Sequence, residues 1–141
     1  MSSAAIVLDA NILIRAVLGK RVRDLIHVHA ANVKFFAPDV AYADARKYLP
    51  ALLTKRGVDP SPAMQVLDVL ERVVHPMDTE VYGGLRQQAL RRIEQRDADD
   101  WPVLACAMVL GCPVWTEDAD FFGTGVATWT TDRIALFLES A

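Results

Sequence analysis

At 141 residues, 52% of them apolar, the chain is long enough to enclose a hydrophobic core, and it reads as a single domain spanning residues 1–141. No stretch approaches the roughly 18 to 20 apolar residues that cross a bilayer, and Met1 to Ala5 lacks the basic start and apolar core of a signal peptide, so a cytoplasmic protein without membrane contact is expected. A net charge of −3 argues against a uniformly basic nucleic-acid binder, but if six of the 18 acidic residues share one pocket, twelve remain against 15 basic ones and the outer surface is mildly basic.

In chain order, Ala4 to Leu8 is a continuous apolar run of mostly branched residues that ends at Asp9-Ala10-Asn11. That pattern predicts a buried parallel strand delivering an acid to its C-terminal end. Asp9 or Asn11 can cap the next helix, Ile12 to Leu18, yet ligands of open α/β sheets collect beyond the carboxyl ends of strands, so a cap alone undersells Asp9. Arg21 to Ala31 forms a second helix, in which His27 and His29 lack the i, i+4 spacing of a helical metal pair. Lys34 to Ala37 is a short strand. Pro38-Asp39 starts a helix to about Thr54, with Asp44 roughly 100° off its apolar stripe of Tyr42, Ala45, Leu49, Leu52 and Leu53.

Arg56 to Pro62 is a loop, after which Asp59 or Ser61 starts a helix from Ala63 to about Leu70. Arg72 to His75 is a third strand, ended by Pro76. Thr79 to Gln95 is amphipathic, weakened at Gly83-Gly84, and its arginines, Arg86, Arg91 and Arg92, with Arg96 just beyond its end, are the first candidates for an RNA-facing surface.

The most informative stretch is Asp97 to Phe122. Acids at Asp97, Asp99 and Asp100 precede a helix that is apolar all round from Val103 to Leu110, Gly111 stops it, Pro113 to Trp115 forms a buried strand, and Glu117, Asp118 and Asp120 follow. A helix followed by a strand returns the chain to the side it left, so the two acid groups can meet at one edge of a sheet. Carboxylates gathered there repel one another, which favours a cation over a structural role, and oxygen-only donors suit Mg²⁺ or Mn²⁺. Cys106 and Cys112 lie inside the apolar stretch and read as packing thiols. Gly123 to Gly125 turns the chain, Val126 to Trp129 makes a last strand, and Thr131 or Asp132 caps a final helix through Ile134, Phe137 and Leu138. The alternation argues an α/β sandwich with a mainly parallel sheet of about five strands.

In this order, Ile6 to Leu13, the helix opening from Pro38 to Asp44, Asp97 to Ala107 and Trp115 to Phe121 resemble the acidic motifs of PIN-domain nucleases. The resemblance covers essentially the whole chain and is to the small stand-alone bacterial members, including VapC-type toxins of toxin–antitoxin pairs. It implies a three-layer α/β/α sandwich with strand order 3-2-1-4-5, a homodimer, and metal-dependent endoribonuclease cleavage of single-stranded or structured RNA. It also implies a site: Asp9, Asp100 and Asp118 match three of the family's acids, and Asp44 matches a fourth where the family usually has Glu. Asp120 matches a less constant auxiliary metal ligand. Asn11 and Thr116 match residues that orient carboxylates or water, Asp97 is a cap standing behind the ligands, and Asp99 is a cap only. A toxin would further imply an antitoxin protein that places a basic side chain in the acid pocket.

Other acid-bearing α/β sandwiches fit less well. A response-regulator receiver needs a Lys after a late strand, and neither Val114 to Thr116 nor Val126 to Trp129 offers one; a haloacid-dehalogenase-type phosphatase needs DxDxT, which Asp9 to Leu13 breaks. A non-catalytic PIN-like module that binds RNA or protein is the remaining alternative, weighed against by retention of Asp9, Asp44, Asp100 and Asp118.

Overall fold

The computed structural model describes residues 4–141. Its sheet is wholly parallel, in the order β3-β2-β1-β4-β5, from β1 (Ala4–Leu8), β2 (Val33–Pro38), β3 (Val74–Met77), β4 (Val114–Trp115) and β5 (Thr128–Trp129). The helices are α1 (Ala10–Leu18), α2 (Lys20–His29), α3 (Asp39–Lys55), α4 (Ser61–Leu70), α5 (Thr79–Tyr82), α6 (Arg86–Asp97), α7 (Trp101–Leu110) and α8 (Ile134–Glu139). Among the described residues, no helix is long and apolar enough to cross a membrane.

Strand alternation explains the layers. Ile6, Leu8, Phe35, Val74 and Trp115 face one core with the buried stripes of α1, α2, α3, α4 and α8, whereas Val7, Met77 and Val114 face the other with α5, α6 and α7. Each face therefore carries its own helical layer, giving the α/β/α sandwich. Helix α7 is apolar all round because it is covered on both sides: Val103 to Ala107 are all buried. Gly111 ends it in the left-handed conformation at φ 63°, and its N–H bonds to Ala107 O.

The sheet runs outward in both directions from β1, so the gap between β1 and β4 is the topological switch point. Leu8 pairs with Trp115 in register, which sets the following residues, Asp9 and Thr116, side by side. A second junction binds the ends of β2 and β3. Asp39 accepts hydrogen bonds from Thr79 N (3.1 Å), Thr79 Oγ1 (2.8 Å) and the Tyr82 hydroxyl, anchoring the start of α3 to that of α5. Burial alone would raise the Asp39 pKa, but the bonds from Tyr82 and Thr79 outweigh it and hold the carboxyl below its usual range.

Several expectations need correction. Pro76 does not end the third strand but lies inside β3, opposite Ala37, which an edge strand tolerates because one row of its backbone groups needs no ladder partner. The predicted helix from Thr79 to Gln95 is interrupted by a 3₁₀ turn at Gly83–Leu85, where the glycine pair resists helix. Neither Thr131 nor Asp132 caps α8: the Thr131 hydroxyl accepts from Trp115 Nε1 at 3.1 Å, and Asp132 faces Arg21 at 3.5 Å.

Candidate metal centre

Asp9 stands at the end of the central strand, only 7% exposed. One carboxylate oxygen caps α1 by accepting from Ile12 N at 3.0 Å; the other accepts from the Thr116 hydroxyl. Thr116 is fully buried, and its oxygen in turn accepts from Asp118 N at 2.9 Å. The predicted cap is thus present and fixes the carboxylate, and Thr116 couples it to the loop bearing Asp118. Burial raises the Asp9 pKa, the bonds from Thr116 and Ile12 pull it down, and the charges of Asp118 and Glu117 push it up again.

Asp100 comes to the same place from the other core. The 3₁₀ turn Ala98–Asp100 precedes α7 and is capped by Asp97, whose Oδ1 accepts from Asp99 N at 3.0 Å. Asp100 Oδ2 is buried and has no hydrogen-bond partner among the described residues. Burial first, and then the charges of Asp97, Asp118 and Asp9, push the Asp100 pKa up to about 8. After β4, Asp118 Oδ1 accepts from Asp120 N at 2.9 Å, which folds the next turn so that both acids face Asp100. The Asp120 carboxyl is raised as well, by desolvation and by Asp118 and Asp97.

Two acid groups result, and they share two members. One oxygen from each of Asp97, Asp100, Asp118 and Asp120 lies within 4.8 Å of the others. Asp9 and Asp44 stand outside that tight group but line a cleft of about 180 Å³ together with Asp100, Asp118 and Asn11. Asp44 projects from α3 as an exposed residue, at the rim where its angular offset from the core stripe puts it. Asp99 is exposed and supplies the backbone N–H that Asp97 caps. Asp97, expected behind the ligands, has one oxygen in the tight group.

The donor set fits a hard divalent cation. It is all carboxylate oxygen, it holds one buried oxygen without a partner, and the charges on it crowd one another enough to shift their own protonation. Among the described residues, no His or Lys lines the cleft.

The arginines expected to face RNA are mostly occupied. Arg96 Nη1 donates to Asp120 O at 3.0 Å and to Phe122 O, and Arg92 Nη1 donates to Thr124 O at 3.2 Å, so α6 clasps the loop that carries Asp118 and Asp120. Gly123 and Gly125 take positive φ beneath these guanidinium groups, where a Cβ would approach Arg96 at 3.2 Å and Arg92 at 3.1 Å. Arg86 lies over the Trp101 ring at 5.6 Å, consistent with Trp101 as a packing residue. The sequence signal for the clasp was thin: two arginines one helical turn apart and two glycines further on.

A family model described as PIN domain matches residues 7–139. No curated protein sequence matches the chain. Among solved structures, PAE2754 from Pyrobaculum aerophilum is similar with a TM-score of 0.74 at 14% identity, covering 98% of this chain and 91% of that one. VapBC2 from Rickettsia felis, solved bound to a DNA fragment from their promoter, gives 0.61 at 16% identity over 89% and 98%. FitAcB from Neisseria gonorrhoeae gives 0.61 at 20% identity over 89% and 97%. At these identities the likeness establishes the fold, and with the family match over nearly the whole length, the chain belongs to the PIN-domain nuclease family.

Proposed function

We propose that the protein is a divalent-metal-dependent endoribonuclease that hydrolyses phosphodiester bonds of single-stranded or structured RNA. The observation that carries this reading is the convergence of Asp9, Asp44, Asp100 and Asp118 on one cleft at the switch point of the sheet. Asp100 and Asp118 are the residues most suited to hold Mg²⁺ or Mn²⁺, with Asp9 and Asp44 flanking them on the cleft side and Asp97 and Asp120 on the other. When bound, such an ion supplies positive charge for a phosphodiester and eases ionisation of an attacking water. Thr116 holds Asp9 to one rotamer, and the Arg92 and Arg96 clasp holds the turn bearing Asp118 and Asp120. With water as nucleophile, no ribose 2′-hydroxyl takes part.

The basic surface for the strand is best sought beside the cleft, at the corner between α1 and α2. Arg15, Lys20 and Arg21, together with Glu117 and Asp132, border a groove of about 470 Å³ that shares Ile14 with the acid cleft. Glu117 accepts from Thr131 N at 2.7 Å, and against the effect of desolvation that bond, with the nearby charges of Arg15 and Arg21, holds its carboxyl below the usual range, while Arg21 itself reaches Asp132 at 3.5 Å and Thr131 O at 3.4 Å. The proposal extends to a toxin role in the cytoplasm, as a homodimer, with an antitoxin protein whose arginine would enter the acid pocket.

The test is cleavage of an unstructured RNA in Mg²⁺ or Mn²⁺ by wild type beside Asp9→Asn. Cleavage by wild type only, and its loss in EDTA, are expected. Undiminished cleavage in EDTA by highly purified protein would overturn the metal reading.

A further inference from the structure

Single-stranded RNA offers unstacked bases to an aromatic surface, and carboxylates do not provide one. Of the three tyrosines, two are buried and committed: the Tyr42 hydroxyl donates to Val74 O at 2.5 Å and the Tyr82 hydroxyl to Asp39. Tyr48 is different. It is 54% exposed, it lies one helical turn beyond Asp44 on the same face of α3, and it lines the acid cleft itself. The ammonium of Lys47 is 5.5 Å from its ring centroid, so the aromatic face is paired with a cation suited to a neighbouring phosphate. Ile14, also in the cleft, is shared with a neighbouring groove bordered by Arg15, Lys20 and Arg21 and by Glu117 and Asp132.

We infer that Tyr48 is a stacking platform for an unpaired nucleobase next to the scissile phosphate. A ring half exposed at the cleft can stack a base that has left its helix. Aromatic stacking is indifferent to base identity, so the platform selects for strandedness and not for sequence. Tyr48 touches substrate without handling a proton, and a phenylalanine should serve as well. The inference rests on the ribonuclease reading given above.

The experiment measures binding in Mg²⁺ by fluorescence anisotropy, in an Asp9→Asn background that keeps the strand intact. The probes are an unstructured oligoribonucleotide, the same strand with abasic positions, and an RNA duplex. Tyr48→Ala is expected to weaken binding of the unstructured strand on the order of tenfold, to leave the abasic strand and the duplex unchanged, and Tyr48→Phe is expected to restore the loss. Equal losses on abasic and normal strands, an unchanged affinity, or a change in molar mass showing that Tyr48 joins two copies would overturn stacking while leaving cleavage by wild type intact. If wild type neither cleaves nor binds RNA, the ribonuclease reading fails and the platform fails with it.

Discussion

Asp100 is half-buried beside the carboxylates of Asp97, Asp118 and Asp9, which favours its protonated form in the metal-free fold. Burial and the charges of Asp97, Asp118 and Asp9 raise its pKa from 3.8 to about 8. Between those values the folded chain holds a proton that the unfolded chain has released, so stability in EDTA should be greatest at the acidic end of the window and fall as pH rises toward 8. Asp100→Asn removes this proton linkage, and its melting temperature should decline less over the same range, with Asp9 and Asp120 supplying the residual slope because both are also raised. Parallel melting curves for the two proteins from pH 5 to 8.5 would show that the carboxylates do not crowd Asp100 as described. Asp9 behaves differently under substitution because it also caps α1 through Ile12 N, so Asn is the cleaner probe there.

At the scale of elements, the clasp from α6 makes the loop after β4 part of the site's scaffold. Arg96→Ala removes donors to Asp120 O and Phe122 O and should destabilise the protein by about 1 kcal/mol, the usual net value of an intramolecular hydrogen bond. It should also lower kcat/KM, because Asp118 and Asp120 lose their support. If Arg96 served only to contact phosphate, the melting temperature would stay fixed and the salt dependence of RNA binding would weaken instead. Asp9, Asp100 and Asp118 were legible in the sequence because each follows an apolar strand or precedes an apolar helix, and a parallel sheet gathers those ends at one edge, whereas Asp44 lies inside α3 and was placed by its angle from the core stripe. The clasp was not legible: it joins residues 24 to 32 positions apart through long side chains, which periodicity cannot register. Pro76 misled for a related reason, since a proline in an edge strand looks like a terminator until the neighbour on its other side is known to be missing.

The whole molecule brings together carboxylates from four distant parts of the chain, at Asp9, at Asp44, between Asp97 and Asp100, and between Asp118 and Asp120. Only the folded state assembles them, so a bound divalent ion adds its binding free energy to folding: roughly 2.7 kcal/mol at a hundredfold excess over Kd. For a chain of this length that corresponds to a rise on the order of 5–10 °C in melting temperature over the EDTA value. The overlap of the two acid groups makes the expected pattern specific. Asp100→Ala and Asp118→Ala, which touch both groups, should lose most of the metal-induced rise. Asp9→Ala with Asp44→Ala, and Asp97→Ala with Asp120→Ala, form two pairs, and the pair that loses more of the rise marks the side on which the ion is held. Melting in EDTA and in excess Mg²⁺ across this set reads folding and metal binding without any RNA present. Equal rises in wild type and in all six variants would mean that these carboxylates, although gathered at one edge of the sheet, do not hold the ion.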